Sequence, residues 1–286
     1  MFSVRHSDAV LGAEITGIDL SQPVSDDDFA RIANVLHERE VIVFKRQDIT
    51  AEQHIAFSRR FGDLERHVRT DKCRPGYPEI YNVSNVIENG KPIGSEDAGY
   101  FWHSDLCYVE KPSRGSLLYA KEVPVKDGVT YGNTLFSSMT TAYNALPEET
   151  KKKLEGRRAV NSFEYGYSRE RMGKKRPPLT EEQREKTPPM EHPAVRTHPY
   201  TGKKCLFVNE AYTTKIVGMS DEESQTLLAE LFAHIVRPEF IYTHKWEVGD
   251  LLFWDNCATQ HRAIVDYALP LRRRMERTTI DGTVPF

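Results

Sequence analysis

Four cysteines in 286 residues, at positions 73, 107, 205 and 257, include no Cys-x-x-Cys pair. That spacing argues against both a disulfide framework and a zinc ribbon, and favours reduced thiols. No run approaches the roughly eighteen uncharged apolar residues that a membrane-crossing helix needs, so no membrane partner is expected. The opening MFSVRHSDAV carries charge within its first eight residues and has no apolar stretch, which reads as no export signal. Neither sign of charge dominates: 39 basic residues meet 42 acidic ones, for a net charge of −3. Nothing sequence-wide therefore pulls the chain toward nucleic acid. Internal repeats and sharp compositional boundaries are absent as well. What remains is a cytoplasmic protein of one domain over residues 1–286, with 39% hydrophobic residues to build a core. A homo-oligomer is left open.

Three amphipathic helices announce themselves by their caps. Thr50-x-x-Gln53 opens TAEQHIAFSRRFG, Ser220-x-x-Glu223 opens SDEESQTLLAELFAHIV, and SDDDFARIANVLHER begins with acids suited to a helix N-terminus. Strand-like runs are short and scattered: VIVFK (41–45), SLLYAKEV (116–123), KCLFVNEAY (204–212), EFIYTHKW (239–246) and DLLFWDN (250–256). They do not alternate regularly with helices, which disfavours a doubly wound parallel sheet. A mainly β fold of the α+β kind, with a jelly-roll or barrel-like core and flanking helices, suits the pattern. One stretch, about 165–193, is rich in proline and charge and poor in apolar periodicity, and reads as a lid-like insert, partly helical at best.

The tripeptide His-Ser-Asp occurs twice, at 6–8 and at 103–105. Chance alone supplies roughly one or two His-x-acid matches in such a chain, so context must decide between them. His6 lies near a chain end among hydrophilic residues. His103 lies in GYFWHSDLCYV, a run of high β propensity where residues two apart share a face, so His103 and Asp105 project together. His261 follows DLLFWDNCATQ, where a strand runs out into a turn. Two histidines and one carboxylate make the facial triad of non-haem Fe(II) oxygenases, which leaves positions open for a 2-oxo acid and dioxygen.

A 2-oxo acid with a second carboxylate needs an anchor for it. Arg273, in the basic run RRRMER (272–277), can grip it bidentately without losing its charge. Thr134 in YGNTLF can donate a hydroxyl hydrogen bond to the same group. Arg277 lies four residues beyond Arg273, so on an extended segment both face one way, and the second guanidinium is available to another anion.

These residues resemble the taurine dioxygenase and aryloxyalkanoate dioxygenase family of Fe(II)- and 2-oxoglutarate-dependent oxygenases. The likeness covers nearly the whole chain: GAEITGIDL (12–20), VIVFKRQ (41–47), IAFSRRFGDLE (55–65), WHSD (102–105), GNTLFSSMTTAYNALP (132–147), HPAVRTHP (192–199), LFVNEAYTTKIVGM (206–219), WDNCATQHRAIVDY (254–267) and RRMERTTI (273–280). The resemblance implies a double-stranded β-helix, iron held by His103, Asp105 and His261, and 2-oxoglutarate held by Thr134 and Arg273. It places Arg277 and His67 on the substrate's anionic group, with Leu106 and Phe163 lining the same pocket. It further implies hydroxylation of a small anionic organic substrate, a sulfonate or carboxylate, with O2 consumed and succinate and CO2 released. Thr70 and Gly99 stand where the taurine enzymes carry Tyr and Asn, which leaves the substrate's identity open. Two competing readings are a zinc-dependent hydrolase on a jelly-roll scaffold and a non-catalytic cupin-like binding module. The first lacks a candidate general base and leaves the two arginines without a shared task.

Overall fold

The computed structural model describes residues 2–66, 70–96, 98–169 and 176–286, with the side chain of Thr70 left out. Its centre is an eight-stranded sheet in the order Ser3–His6, Ala13–Thr16, Val41–Phe44, Leu251–Asp255, Gly115–Glu122, Arg274–Ile280, Tyr77–Ser84, Cys73–Arg74. Neighbours in the middle of this sheet run antiparallel. A three-stranded sheet, Ile241–His244, Thr134–Ser138 and Thr259–Ala263, supplies the second layer.

Alternation along the central strands explains why there are two layers. Ile42, Phe44, Leu117, Tyr119, Leu251, Phe253 and Ile280 point to one face and pack with Ile32, Leu36 and Phe57 of the helices Asp26–Arg39 and Ala51–Arg59. Their neighbours Val41, Val43, Leu118, Ala120, Leu252, Trp254 and Met275 point to the other face and meet Phe136, Tyr242 and Trp246 from the small sheet and its loop. A strand with period-two side chains, buried on both faces, must read as a near-continuous apolar run, as VIVF and LLFW do. The helices begin where their caps predict. The Ser25 hydroxyl accepts the Asp28 N–H at 3.1 Å, and reciprocal capping boxes open Ala51–Arg59 and Asp221–Ile235. The latter helix joins Met139–Asn144 and Glu148–Leu154 over a further core that includes Leu206, Val208 and Ile216.

Two local expectations need correcting. The run 204–212 is a strand only over Lys204–Leu206, after which Asn209 folds it into a turn. The Asn209 side chain accepts the Tyr212 N–H at 2.9 Å, while the Asn209 N–H donates to the Thr213 hydroxyl at 2.9 Å. Side-chain bonds of this kind compete with a ladder and here win. The described parts of the stretch 165–193, read as an excursion from the core, pack on it. They hold the end of the helix Phe163–Ser168, the helix Glu181–Lys186 and the strand Met190–Pro193, which pairs with Arg158–Asn161. Gly166 sits so close to Tyr212 that a Cβ there would lie 2.4 Å from the ring. Arg169 donates to the Glu210 carboxylate at 2.8 Å and lies over the Phe101 ring at 3.7 Å. Residues 170–175 of this stretch are outside the described residues.

Candidate metal centre

The turn 256–258 carries the chain from Leu251–Asp255 in the large sheet to Thr259–Ala263 in the small one, and so delivers His261 between the layers. His103 meets it directly. The His103 N–H donates to the His261 carbonyl at 3.2 Å and the His261 N–H donates back to His103 at 2.9 Å. Their rings lie 4.1 Å apart between centroids. This pairing is a single bridge, and Asp105 already stands in a turn, with Leu106 left-handed at φ 55°. The expectation that His103 and Asp105 share a strand face is therefore corrected: a bridge and a turn bring them together. Asn256 holds the turn. Its side chain accepts the Asp105 N–H at 2.8 Å and donates to the Asp105 carbonyl at 2.9 Å and to the Ser113 carbonyl at 2.9 Å. Ser104 adds a hydroxyl bond to the Thr259 carbonyl at 3.1 Å.

All three side chains are buried, and one ligand atom from each falls within 4.8 Å of the others. His103 Nδ1 lies 2.9 Å from the Phe101 carbonyl, so it carries the proton and leaves the Nε2 lone pair facing Asp105 Oδ1 at 3.5 Å. His261 Nδ1 has no hydrogen-bond partner among the described residues. Burial, then the neighbouring His103 and Arg277, push the His261 imidazole down to about 3, although Asp105 opposes this. It is neutral at ordinary pH. Burial opposes the charge on Asp105, but the Arg277 guanidinium and the two imidazoles hold its carboxyl well below the usual carboxylate range. Two imidazoles and a carboxylate, converging on one point, fit a divalent transition ion.

The strand Arg274–Ile280 and the residue before it supply the arginines. Arg273, Met275, Arg277 and Thr279 alternate onto the inner face, while Thr278 turns outward, 2.7 Å from the Ser58 hydroxyl of the helix behind. Arg273 is 3% exposed, and among the described residues its Nε lacks a hydrogen bond and no carboxylate lies within ion-pair distance of it. Burial pushes its pKa down, with only the Tyr267 phenol working the other way. Asn85 fixes the backbone by accepting the Arg273 N–H at 2.8 Å. Trp246 joins this group to Thr134. Its indole N–H donates to the Thr134 hydroxyl at 3.0 Å, and its ring centroid lies 5.9 Å from the Arg273 guanidinium carbon. With its acceptor side occupied by Trp246, the Thr134 hydroxyl still has a hydrogen to give.

Arg277 Nη1 lies 3.4 Å from each oxygen of Asp105, and Ser116 donates to Asp105 Oδ2 at 3.3 Å. Phe163 reaches the centre through aromatic contacts: 5.0 Å to Tyr108, which lies 4.7 Å from Tyr212, itself 6.4 Å from His103. Leu106 is half-buried beside Asp105. His67 lies outside the described residues, as does the side chain of Thr70. Gly99, with φ 76°, backs onto the metal ligands, because a Cβ there would stand 3.4 Å from His103 Cε1. Asn256, Ser116, Trp246 and Tyr267 escaped the sequence reading. Only Asn256, beside Asp255 in a turn before the ligand His261, carried a signal that could have raised it.

A second buried group, His198, Asp255 and Cys257, also brings three potential ligand atoms within 4.8 Å. Its valences are spent. His198 Nδ1 accepts the N–H groups of Tyr200 (3.2 Å) and Thr201 (3.1 Å), Nε2 donates to Asp255 Oδ2 at 2.9 Å, and Asp255 Oδ1 takes the Cys257 N–H at 2.9 Å.

Comparison with known proteins agrees with this geometry. Residues 3–279 match the family described as taurine catabolism dioxygenase TauD, TfdA. The chain is 36% identical to the alpha-ketoglutarate-dependent 2,4-dichlorophenoxyacetate dioxygenase of Cupriavidus pinatubonensis, over 96% of each chain. It is 30% identical to the alpha-ketoglutarate-dependent sulfate ester dioxygenase of Pseudomonas putida, over 96% of this chain and 88% of that one. Among solved structures, a taurine dioxygenase from Burkholderia xenovorans superposes with a TM-score of 0.82 at 32% identity, covering 99% of this chain and 90% of that one. AAD-2 in complex with Mn(II) and N-oxalylglycine gives the same TM-score, 0.82, at 32% identity, over 100% and 99%. The double-stranded β-helix expected from the sequence is the fold found, and the chain belongs to the TauD/TfdA family of dioxygenases.

Proposed function

We propose that this protein is a single-domain Fe(II)- and 2-oxoglutarate-dependent dioxygenase that hydroxylates a small anionic organic molecule. His103, Asp105 and His261 hold the metal, Thr134 and Arg273 hold the far carboxylate of 2-oxoglutarate, and Arg277 receives the substrate's anion. His67, Leu106 and Phe163 complete the substrate side. The observation that carries this reading is the buried Arg273 charge, with an unbonded Nε and no carboxylate partner among the described residues. A buried cation left uncompensated costs several kcal/mol, so a ligand carboxylate is the natural counter-charge. A zinc hydrolase has no use for that arginine.

Iron with its cosubstrate supplies the oxidative chemistry when bound, converting 2-oxoglutarate to succinate and CO2 as a substrate C–H is hydroxylated. The chain positions. Asn256 fixes the Asp105 backbone, Phe101 fixes the His103 tautomer, and Arg277 keeps Asp105 ionised. The insert at about 165–193 covers the aromatic side of the pocket and excludes water there. The deciding test gives anaerobically prepared protein Fe(II) and 2-oxoglutarate, then oxygen, together with alkanesulfonates, sulfate esters or aryloxyacetates. Succinate forming in proportion to oxygen consumed is the expected result. No succinate with any of them would refute the reading.

A further inference from the structure

Leu64 bridges Ile280 in antiparallel register, the Glu65 N–H donates to the Thr279 carbonyl at 2.9 Å, and the Asp281 N–H donates to Asp63 at 2.9 Å. Glu65 thus stands directly opposite Thr279. Opposed residues of an antiparallel pair point to one face, and residues two apart on a strand do the same. Leu64 and Ile280 belong to the helix-side core, so Glu65, Thr279 and Arg277 share the inner face. Thr279 is tied there to the metal ligands, since the Ser116 hydroxyl lies 3.4 Å from Thr279 Oγ1 and 3.3 Å from Asp105 Oδ2. The Glu65 side chain is half-buried and has no hydrogen bond among the described residues. Arg277 and Glu65 each favour the other's charge, whereas burial, Asp105 and Asp281 raise the Glu65 pKa.

The local set of groups is therefore incomplete in a particular way. Among the described residues the buried Arg277 Nε has no hydrogen-bond partner, and the Tyr108 hydroxyl, on a ring tilted against Phe163 and Tyr212, makes no hydrogen bond. Both are donors that await an acceptor. Glu65 is an acceptor that awaits a donor. A plain monoanion satisfies the first two and faces the carboxylate of Glu65 with nothing to offer it.

Resting on the function proposed above, we infer that Glu65 is a specificity-determining residue: it selects anions that carry a hydrogen-bond donor or positive charge beside the anionic head, and it disfavours plain anions. Arg277 and Tyr108 take the head, and Glu65 takes the adjacent N–H, O–H or ammonium. Repulsion between two carboxylates at the edge of a protein, screened as such sites are, is worth on the order of tenfold in affinity.

The test compares matched pairs, an aliphatic carboxylate with its 2-hydroxy and 2-amino analogues and an alkanesulfonate with its hydroxy analogue. Each is measured with the Fe(II)/2-oxoglutarate-loaded enzyme as KM and kcat for succinate formation, and as Kd by anaerobic calorimetry. The expected wild-type preference for the donor-bearing member is about tenfold in Kd and KM. Glu65→Gln should shrink it to about threefold or less, chiefly by tightening the plain anion, with kcat little changed. Glu65→Asp should restore the preference. If Glu65→Gln weakened both members of each pair equally, or left their ranking as in wild type, the role of Glu65 would be overturned while the dioxygenase reading stood. No succinate from wild type with any compound would overturn both.

Discussion

Among the described residues, two buried groups offer a histidine, an aspartate and a third ligand atom within 4.8 Å, and they differ in their readiness to take a metal. In the His198–Asp255–Cys257 group both ring nitrogens and both carboxylate oxygens are already bonded within the protein. Burial also raises the Cys257 thiol to about 12, so it is not a thiolate at neutral pH. In the His103–Asp105–His261 group His261 Nδ1 lacks a hydrogen bond among the described residues, and His103 Nε2 faces only the Asp105 carboxylate, 3.5 Å away. Proximity of donor types is common to both. Unspent lone pairs distinguish them, and a buried polar atom left unsatisfied is the more informative observation.

Substitution should separate the two groups sharply. Asp105→Ala abolishes both 2-oxoglutarate turnover and Fe(II) binding in anaerobic calorimetry, while Asp255→Ala keeps the metal stoichiometry. The second variant instead loses about 3–5 kcal/mol of unfolding free energy in urea, as expected for a broken buried pair. Asp8→Ala, in the incidental His-Ser-Asp, changes neither quantity. An Asp255→Ala protein that remains as stable as wild type but binds no iron would reverse the two assignments.

The next largest effect belongs to Arg273, the arginine proposed to hold the cosubstrate. Arg273→Leu raises the KM for 2-oxoglutarate about a hundredfold, since a charge-assisted pair is replaced by an unpaired carboxylate worth roughly 3 kcal/mol. Arg274→Leu, whose half-exposed side chain pairs with Glu276 at 3.4 Å and Glu88 at 3.7 Å, leaves that KM within about threefold. Equal effects would show that the inner face is misassigned. Asn256→Ala, which touches no ligand atom, weakens Fe(II) affinity by about 10–100-fold, the range for groups that orient metal ligands. A full-affinity Asn256→Ala protein would mean that the bridge between the two histidines suffices.

A smaller effect is read against pH. Burial lowers His54 to about 3, against an ordinary histidine value near 6.5. The unfolded chain therefore binds the extra proton first, so stability falls as the pH drops from about 6.5 toward 3. His54→Gln should flatten the urea midpoint across that window and leave the midpoint's slope above pH 7 unchanged. An equally steep acid limb in the variant would assign the loss to other groups.

Much of this architecture was legible in the sequence because it is local. Capping boxes fixed the starts of two helices, and period-two apolar runs fixed the central strands. The candidate ligands His103, Asp105 and His261 stood out through the residues flanking them. What was illegible depends on partners distant in the chain. Nothing around position 256 says that its amide will clamp residue 105, nor that the indole of Trp246 will meet Thr134. The strand expected at 103–105 is absent for the same reason, since His261 pairs with His103 alone and Asn256 holds Asp105 in a turn away from the ladder. Glu65 carried no signal of its own in the sequence, and only its register against Thr279 turns it toward the pocket.

The reciprocal peptide bonds between His103 and His261 bear on the order of assembly. These two residues come from distant parts of the chain, yet peptide hydrogen bonds, which need no ion, join their backbones. The entropy of closing that long loop is borne by folding itself, so the ion meets a ready-made claw rather than gathering one. Iron is then a late and exchangeable passenger: uptake by folded protein should be a single fast step with little change in backbone circular dichroism, and its chelation should leave a native fold ready to be reloaded.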